Sequence, residues 1–193
     1  MYAVSGRTRH AVLAAAVTMS VVACAPSTAT TGYLSGSSPA VVDVGTSLSA
    51  RVQSTGDRIV AAGLAEIGTP VAWGGGTPTG PSDGADPDEG VVGFDASGLT
   101  LYAVAQATGI VLPHFTGDTS NPGQLYDPRG AVVEVADRWP GDLLFLGADG
   151  NSHHVGIVYT HDSVITAPGS GQTVRIEPLS DWSGEDWYVR RFH

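Results

Sequence analysis

The sequence predicts an α+β domain in which N-terminal helices pack on a small antiparallel sheet. Apolar residues recur at helical spacing over residues 57–67, and a second helix is expected over 96–108, between a capping Asp95 and a terminating Gly109. Beyond residue 140 the spacing of apolar residues approaches two, which is typical of strands. Two or three helices followed by a run of strands favour an α+β domain over the alternating α/β class.

The C-terminal part of the sequence contains the strand-like segments. Five short strands separated by turn residues are expected over 143–146, 154–159, 163–167, 173–176 and 187–192. Residues 111–127 show neither helical nor strand periodicity and are expected to be irregular. The secondary structure that follows the second helix is therefore predicted to form one sheet.

Residues 1–23 have the pattern of an export signal. Arg7 and Arg9 precede an apolar run over 11–23, which is shorter than the roughly 20 residues that a membrane-spanning helix needs. The run ends in the sequence VVAC at 21–24, which is similar to a bacterial lipobox, whose cysteine is lipid-modified and becomes the new N-terminus. An ordinary signal peptide followed by an incidental cysteine is the alternative.

Cys24 is the only cysteine in the chain, so no disulfide can form within it. Lipid modification would account for a single cysteine in an exported protein, and it would exclude Cys24 as a catalytic nucleophile. Residues 24–50 are rich in Ser, Thr, Gly and Ala and are expected to be a flexible tether, with the folded domain over 51–193. The expected location is the cell envelope, anchored to the outer face of the membrane, or secreted.

The overall charge excludes one large class of partner. The chain has 19 acidic and 9 basic residues, a formal net charge of −10, and no lysine. Such a chain repels phosphate backbones, so nucleic acid is not an expected ligand. No cofactor is expected.

Five short motifs follow one another between residues 68 and 168. They are GTPVAWGG (68–75), FDASGL (94–99), PGDLLF (140–145), HVGI (154–157) and VITAP (164–168). Together they resemble the NlpC/p60 family of cell-wall cysteine peptidases, over about residues 57–192. The resemblance implies a papain-like fold and cleavage of peptidoglycan stem peptides, commonly between D-glutamate and diaminopimelate.

The resemblance also assigns roles to three positions. Family peptidases use a cysteine at a helix N-terminus, a histidine base and a third polar residue that orients the histidine. Here Ala96 stands at the nucleophile position, His154 at the base position and Thr166 at the third position, where His, Glu, Asn or Gln is usual. Because a methyl group cannot attack a carbonyl, the nucleophile is expected to be lost while the base is retained. Residues 91–99 are also similar to a non-catalytic, peptidoglycan-binding member of the family's Rip group, although that member lacks the histidine.

Four more positions are expected to bind the ligand. Val71 replaces the usual tyrosine of the first motif, and Trp73 follows it two residues later. Asp95 and Ser97 flank Ala96 at the helix start, where they could contact a peptide. Ser97 is not expected to replace the cysteine, because one residue of helix turns its side chain by about 100°.

No metal site is expected. Adjacent side chains on a strand face opposite ways, so His153 and His154 should not share an ion, and His114 and His161 lack ligand spacing. The acidic loop over 83–90 departs from calcium-binding order, and it is expected to be solvated and to border the cleft.

The remaining tryptophans, Trp139, Trp182 and Trp187, are expected to serve packing.

The predicted function is binding of peptidoglycan stem peptides, or regulation of active wall hydrolases, without hydrolysis. Two alternatives stay open. One is a peptidoglycan endopeptidase with residual or non-cysteine activity, and the other is a protein–protein scaffold at the cell envelope. The expected partners are stem peptides, active wall hydrolases and the membrane, through lipid-modified Cys24.

Overall fold

In the computed structural model, residues 53–193 are described, and in this part of the chain helices precede a six-stranded sheet. The predicted export signal, Cys24 and the whole of the predicted tether over 24–50 lie outside the described residues. Within residues 53–193 no helix is long and apolar enough to cross a bilayer.

The first helix, α1 (Thr55–Ala65), begins at a capping box. The Ser54 hydroxyl accepts a hydrogen bond from the backbone N–H of Asp57, and the Asp57 carboxylate accepts one from the N–H of Ser54. The cap explains why the helix begins two residues before the predicted start. Gly63 lies against the sheet, since an added Cβ there would lie 2.8 Å from the Cδ1 atom of Ile157.

The second helix, α2 (Ala96–Thr108), has the predicted bounds. The Asp95 carboxylate caps it by accepting a hydrogen bond from Gly98 N, and Gly109 ends it with φ of 77°. Most of its first three turns is buried, so the helix lies in the interior of the domain. A hydrogen bond of 3.2 Å from Arg58 Nε to the carbonyl of Ala107 joins it to α1.

The described residues contain eight strands in two sheets, and the first two strands lie between α1 and α2. They are β1 (Ser82–Asp83), β2 (Val92–Gly93), β3 (Ala131–Val133), β4 (Leu143–Ala148), β5 (Asn151–Thr160), β6 (Ser163–Thr166), β7 (Arg175–Pro178) and β8 (Asp186–Arg191). Strands β1 and β2 pair with each other, and the other six form an antiparallel sheet in the order β3-β8-β4-β5-β6-β7. The five predicted strands are present as β4 to β8. Strands β1, β2 and β3 were not predicted, because two or three residues are too short to show a period.

The central strands are buried on both faces. One cluster lies between the helices and the sheet, and the other lies on the opposite face, as the alternation of Leu143 and Leu144 between the two clusters shows. The second cluster is completed by a 3₁₀ turn, Leu179–Trp182. The α+β prediction is therefore confirmed. Strand β5 packs against α2, and residues of both elements line one cleft.

Candidate functional site

A cleft with a volume of about 860 Å³ lies between the start of α2, strand β5 and the loop after β6. It contains six of the seven residues that the sequence assigns to a site, and the seventh, Thr166, hydrogen-bonds to one of them. The six are Val71, Trp73, Asp95, Ala96, Ser97 and His154. The structure therefore brings these six residues together in one cleft, beside lining residues that the sequence analysis did not single out.

His154 is held in place from two sides. Its Nε2 atom lies 2.8 Å from the hydroxyl oxygen of the buried Thr166, and its ring lies 5.0 Å from the ring of Trp182. The Thr166 hydroxyl also donates to the carbonyl of Val155 at 3.3 Å. A hydroxyl has one proton, so Thr166 then accepts the Nε2–H of His154, and Nδ1 is the nitrogen left unprotonated in the neutral ring.

Burial lowers the pKa of His154 below that of an ordinary histidine, and the nearby His153 lowers it further. The carboxylates of Glu177 and Asp95 act in the opposite direction but do not outweigh burial. His154 is therefore neutral near pH 7. His153 also lines the cleft, but its Nε2 atom bonds to Glu185 Oε2 at 2.7 Å and not to His154.

Ala96 is the first residue of α2, and its half-buried methyl group packs against the main apolar cluster. The position lies in the same cleft as His154, but it offers no atom that can donate a proton or attack a carbonyl. Residues 53–193 contain no cysteine. The cleft thus combines an oriented, neutral histidine with an apolar side chain at the helix start.

Asp95 receives four hydrogen bonds from its surroundings. Its Oδ1 atom accepts from Gly98 N at 2.6 Å and from Ser97 Oγ at 2.9 Å, and it lies 3.0 Å from His114 Nε2. Its Oδ2 atom accepts from Gly74 N at 3.0 Å. The carboxylate therefore ties the helix start to two other walls of the cleft.

His114 lines the cleft and was missed by the sequence analysis. The hydrogen bond to Asp95 raises the pKa of His114, although burial opposes the shift. Burial, the largest single influence on Asp95, would raise its pKa, but hydrogen bonds from His114, Gly98 and Ser97 together hold it below the usual value. The sequence offered one signal, the glycine at position 98 in the first turn of the helix, which indicates that other atoms pack closely there. The structure shows these atoms: a Cβ on Gly98 would lie 2.1 Å from Gly75 O and 2.9 Å from His114 Nε2.

Residues 68–191 match the sequence model of the NlpC/P60 family. The chain belongs to the NlpC/P60 family. Among curated proteins, peptidoglycan endopeptidase RipA of Mycobacterium tuberculosis is 38% identical over 136 residues, which are 70% of this chain and 27% of RipA. Peptidoglycan endopeptidase RipB of the same species is 38% identical over 114 residues, which are 59% of this chain and 44% of RipB. The chain spans less than half the length of these relatives.

A solved structure of RipD from Mycobacterium tuberculosis also resembles this chain. It has a TM-score of 0.61 and 31% identity, and the match covers 72% of this chain and 98% of the RipD chain. That structure is described as a non-catalytic NlpC/p60 domain protein adapted to peptidoglycan binding. The family recognised from the five motifs is confirmed.

Within this NlpC/P60 domain, Ser97 is not arranged as a nucleophile. Its side chain is only 7% exposed, and its hydroxyl donates to Asp95 Oδ1, the same oxygen that pairs with His114. An activated serine donates to a histidine, and the histidine is in turn oriented by a carboxylate. Here serine and histidine bind one carboxylate side by side, so neither activates the other.

The tryptophans divide differently from the prediction. Trp182 is buried as expected, but it also contacts His154, which was not foreseen. Trp139 was expected to pack, and this was wrong, because 68% of it is exposed. It precedes the Pro140-Gly141 turn, which carries the side chain outward at the surface. Trp73 is 63% exposed and lines the cleft.

In residues 53–193 no cluster of three or more His, Cys, Asp and Glu could hold a metal ion. The acidic loop instead uses its carboxylates on backbone groups, since Asp83 Oδ1 accepts from Gly90 N at 2.8 Å and Asp88 Oδ2 accepts from Trp73 N at 2.8 Å. The Ser170 hydroxyl also donates to Asp88. Trp73 and Ser170 both line the cleft, so the loop adjoins its rim through Asp88.

Proposed function

We propose that this chain is a non-catalytic NlpC/P60 protein that binds peptidoglycan stem peptides at the cell envelope. The observation that carries the proposal is Ala96, which occupies the helix start beside His154 where family peptidases have their cysteine. Without a thiol at this position, the cleft has no group that can form the acyl-enzyme intermediate of a cysteine peptidase.

The rest of the cleft supports binding. It is an open groove of about 860 Å³, and volumes of this order hold small ligands or short peptides. His154 is oriented by Thr166 and Trp182, so it can exchange a hydrogen bond with a ligand at little entropic cost. We assign ligand contacts to Trp73, Val71 and His154, and a supporting role to Asp95 and Ser97, whose polar groups bond to each other.

The relatives support the class of ligand and the loss of catalysis separately. RipA and RipB carry the name peptidoglycan endopeptidase, and RipD is described as a non-catalytic protein adapted to peptidoglycan binding. From RipA and RipB we extend the ligand class, peptidoglycan, to this chain, and from RipD we extend the absence of catalysis. An export signal over 1–23, lipid modification of Cys24 and a tether over 24–50 would place the domain over 51–193 against the cell wall.

Calorimetric titration of the purified chain with defined stem peptides tests the proposal. We expect saturable binding, with the peptide recovered intact. His154→Ala should weaken binding, whereas His161→Ala, at an exposed histidine outside the cleft, should leave it unchanged. Absence of binding to any stem peptide would favour the alternative of a protein–protein scaffold and would overturn the proposal.

A further inference from the structure

Trp73 is placed as a platform at the rim of the cleft. Its side chain is 63% exposed, and it faces the same groove as Ala96 and His154. The indole Nε1–H donates to none of the residues that the structure describes. The ring therefore presents an apolar face and a free donor to whatever enters the groove.

The backbone around this ring is fixed although the ring itself is exposed. Trp73 N donates to Asp88 Oδ2 at 2.8 Å, and Trp73 O accepts from Ala85 N at 2.7 Å. The next residue, Gly74, donates to Asp95 Oδ2 at 3.0 Å, which ties the segment to the start of α2. An aromatic side chain on a fixed backbone has only two torsions to order, so it binds a ligand at low entropic cost.

Polar groups of the right kind lie beside the backbone of Trp73. Asp88 Oδ2 accepts hydrogen bonds from Trp73 N and from the Ser170 hydroxyl. Asp88 Oδ1 accepts no hydrogen bond from any residue in 53–193. Ser170 is exposed and lines the cleft, and because its proton is donated to Asp88, its oxygen remains an acceptor. The rim therefore combines an aromatic face, two acceptors and the indole donor.

We propose that Trp73, with Asp88 and Ser170, binds a pyranose ring of the glycan to which the stem peptide is attached. The inference rests on the proposed function, since the peptide of the same ligand would lie in the groove at Ala96 and His154. The C–H face of a pyranose carries partial positive charge and stacks on the negative face of an indole. Its hydroxyl and acetamido groups donate to Asp88 and Ser170.

A sugar fits this rim better than a peptide side chain does. Stem peptides consist mainly of small and charged residues, which have no flat apolar face to cover an indole. The muramyl sugar is joined to the peptide through an amide, so it brings no carboxylate that Asp88 would repel. A pyranose thus matches the aromatic face and the acceptors at once.

The test compares one stem peptide with and without an attached N-acetylmuramyl group, titrated calorimetrically against the full chain. We expect the sugar to tighten binding about tenfold, a typical effect of one well-placed aromatic contact. Trp73→Ala should remove this advantage, so that the variant binds the two ligands with equal affinity. Trp139→Ala is the matched control. Trp139 is 68% exposed and its backbone N–H also donates to an aspartate, but it lies outside the cleft.

The outcomes separate this inference from the proposed function. If both ligands bind equally to the unaltered chain, or if Trp73→Ala weakens both by the same factor, the sugar site is wrong while peptide binding stands. If neither ligand binds, the proposed function and the sugar site both fail. Far-ultraviolet circular dichroism of the variants excludes misfolding as the cause of a loss.

Discussion

The Nε2 atom of His114 lies 3.0 Å from Oδ1 of Asp95, across 19 residues of sequence and inside the cleft. The pair joins the irregular segment before residue 131 to the N-terminal cap of α2. It raises the pKa of His114, and its hydrogen bond helps to lower that of Asp95, so both groups are charged over a shared range of pH.

This pair predicts a specific dependence of stability on pH. The raised pKa of His114 adds stability that is fully present below its ordinary value of 6.5 and is lost as pH rises through the raised value. The lowered pKa of Asp95 adds stability that is present above 3.8 and is lost as pH falls through the lowered value. The pair therefore stabilises the fold most between pH 3.8 and pH 6.5, the ordinary pKa values of the two groups.

His114→Gln should flatten the decline in stability above pH 6.5. Because the His114 side chain is 29% exposed, we expect a loss of only about 1 kcal/mol at pH 5.5. Urea unfolding at pH 5.5 and 8 measures both effects. His161→Gln is the control, since the His161–Asp162 pair is far more exposed. Equal pH dependence in wild type and His114→Gln would contradict the role given to the pair.

A second prediction concerns the hydroxyl that orients His154. Thr166→Val keeps the shape of the side chain but leaves His154 Nε2 without its partner, so it should destabilise the fold by about 1–2 kcal/mol. Nitrogen NMR of the unaltered chain should show neutral His154 protonated at Nε2, and the variant should lose that preference. Thr119→Val, at an exposed hydroxyl whose nearest bond is 3.4 Å long, should change neither measurement.

Gly98 predicts an unusual response to alanine. Glycine to alanine inside a helix normally stabilises by about 0.5–1 kcal/mol. Here the added Cβ would lie 2.1 Å from Gly75 O and 2.9 Å from His114 Nε2, so Gly98→Ala should destabilise by about 2 kcal/mol or more. Gly169→Ala, where a Cβ meets only Gln172 Nε2 at 3.5 Å, should be nearly neutral. Thermal unfolding of both variants decides the point.

Restoring the thiol tests how far the cleft departs from a peptidase. Ala96→Cys places a thiol at a helix N-terminus, where the helix dipole lowers its pKa, and within the same cleft as His154. We expect weak cleavage of stem peptides. Adding Thr166→Asn should increase the rate, because it places one of the usual third residues beside the histidine base. Asn is chosen because Thr166 is fully buried and the larger usual residues would not fit. Normal thiol labelling without cleavage in either variant would show that the cleft is no longer competent.

Local signals explain why most of the fold was predictable. Asp95 caps the start of α2 and Gly109 ends it, and each acts on residues of the adjacent helical turn, as the sequence indicates. Ser54 was missed as a cap although it follows the same rule, because the apolar period begins only at Ile59. Strands β4 and β6 are buried on both faces, so they appear in the sequence as short apolar runs between turn residues and were recognisable from that.

The missed parts of the site depend on contacts between distant segments. His114 lies in a stretch without periodicity, and its partner Asp95 is known only once the chain has folded. Trp182 reaches His154 from a 3₁₀ turn that follows β7. Motifs in the sequence marked the elements that form the cleft, whereas packing decided which other side chains complete it.

The central claim is that this NlpC/P60 cleft binds stem peptides without cleaving them. Prolonged incubation of the purified chain with a defined stem peptide, followed by mass spectrometry, tests it most directly, with Ala96→Cys run in parallel. The account predicts that the peptide bound by the unaltered chain is recovered whole. Appearance of the two cleavage fragments with the unaltered chain, at a rate above that of His154→Ala, would contradict it.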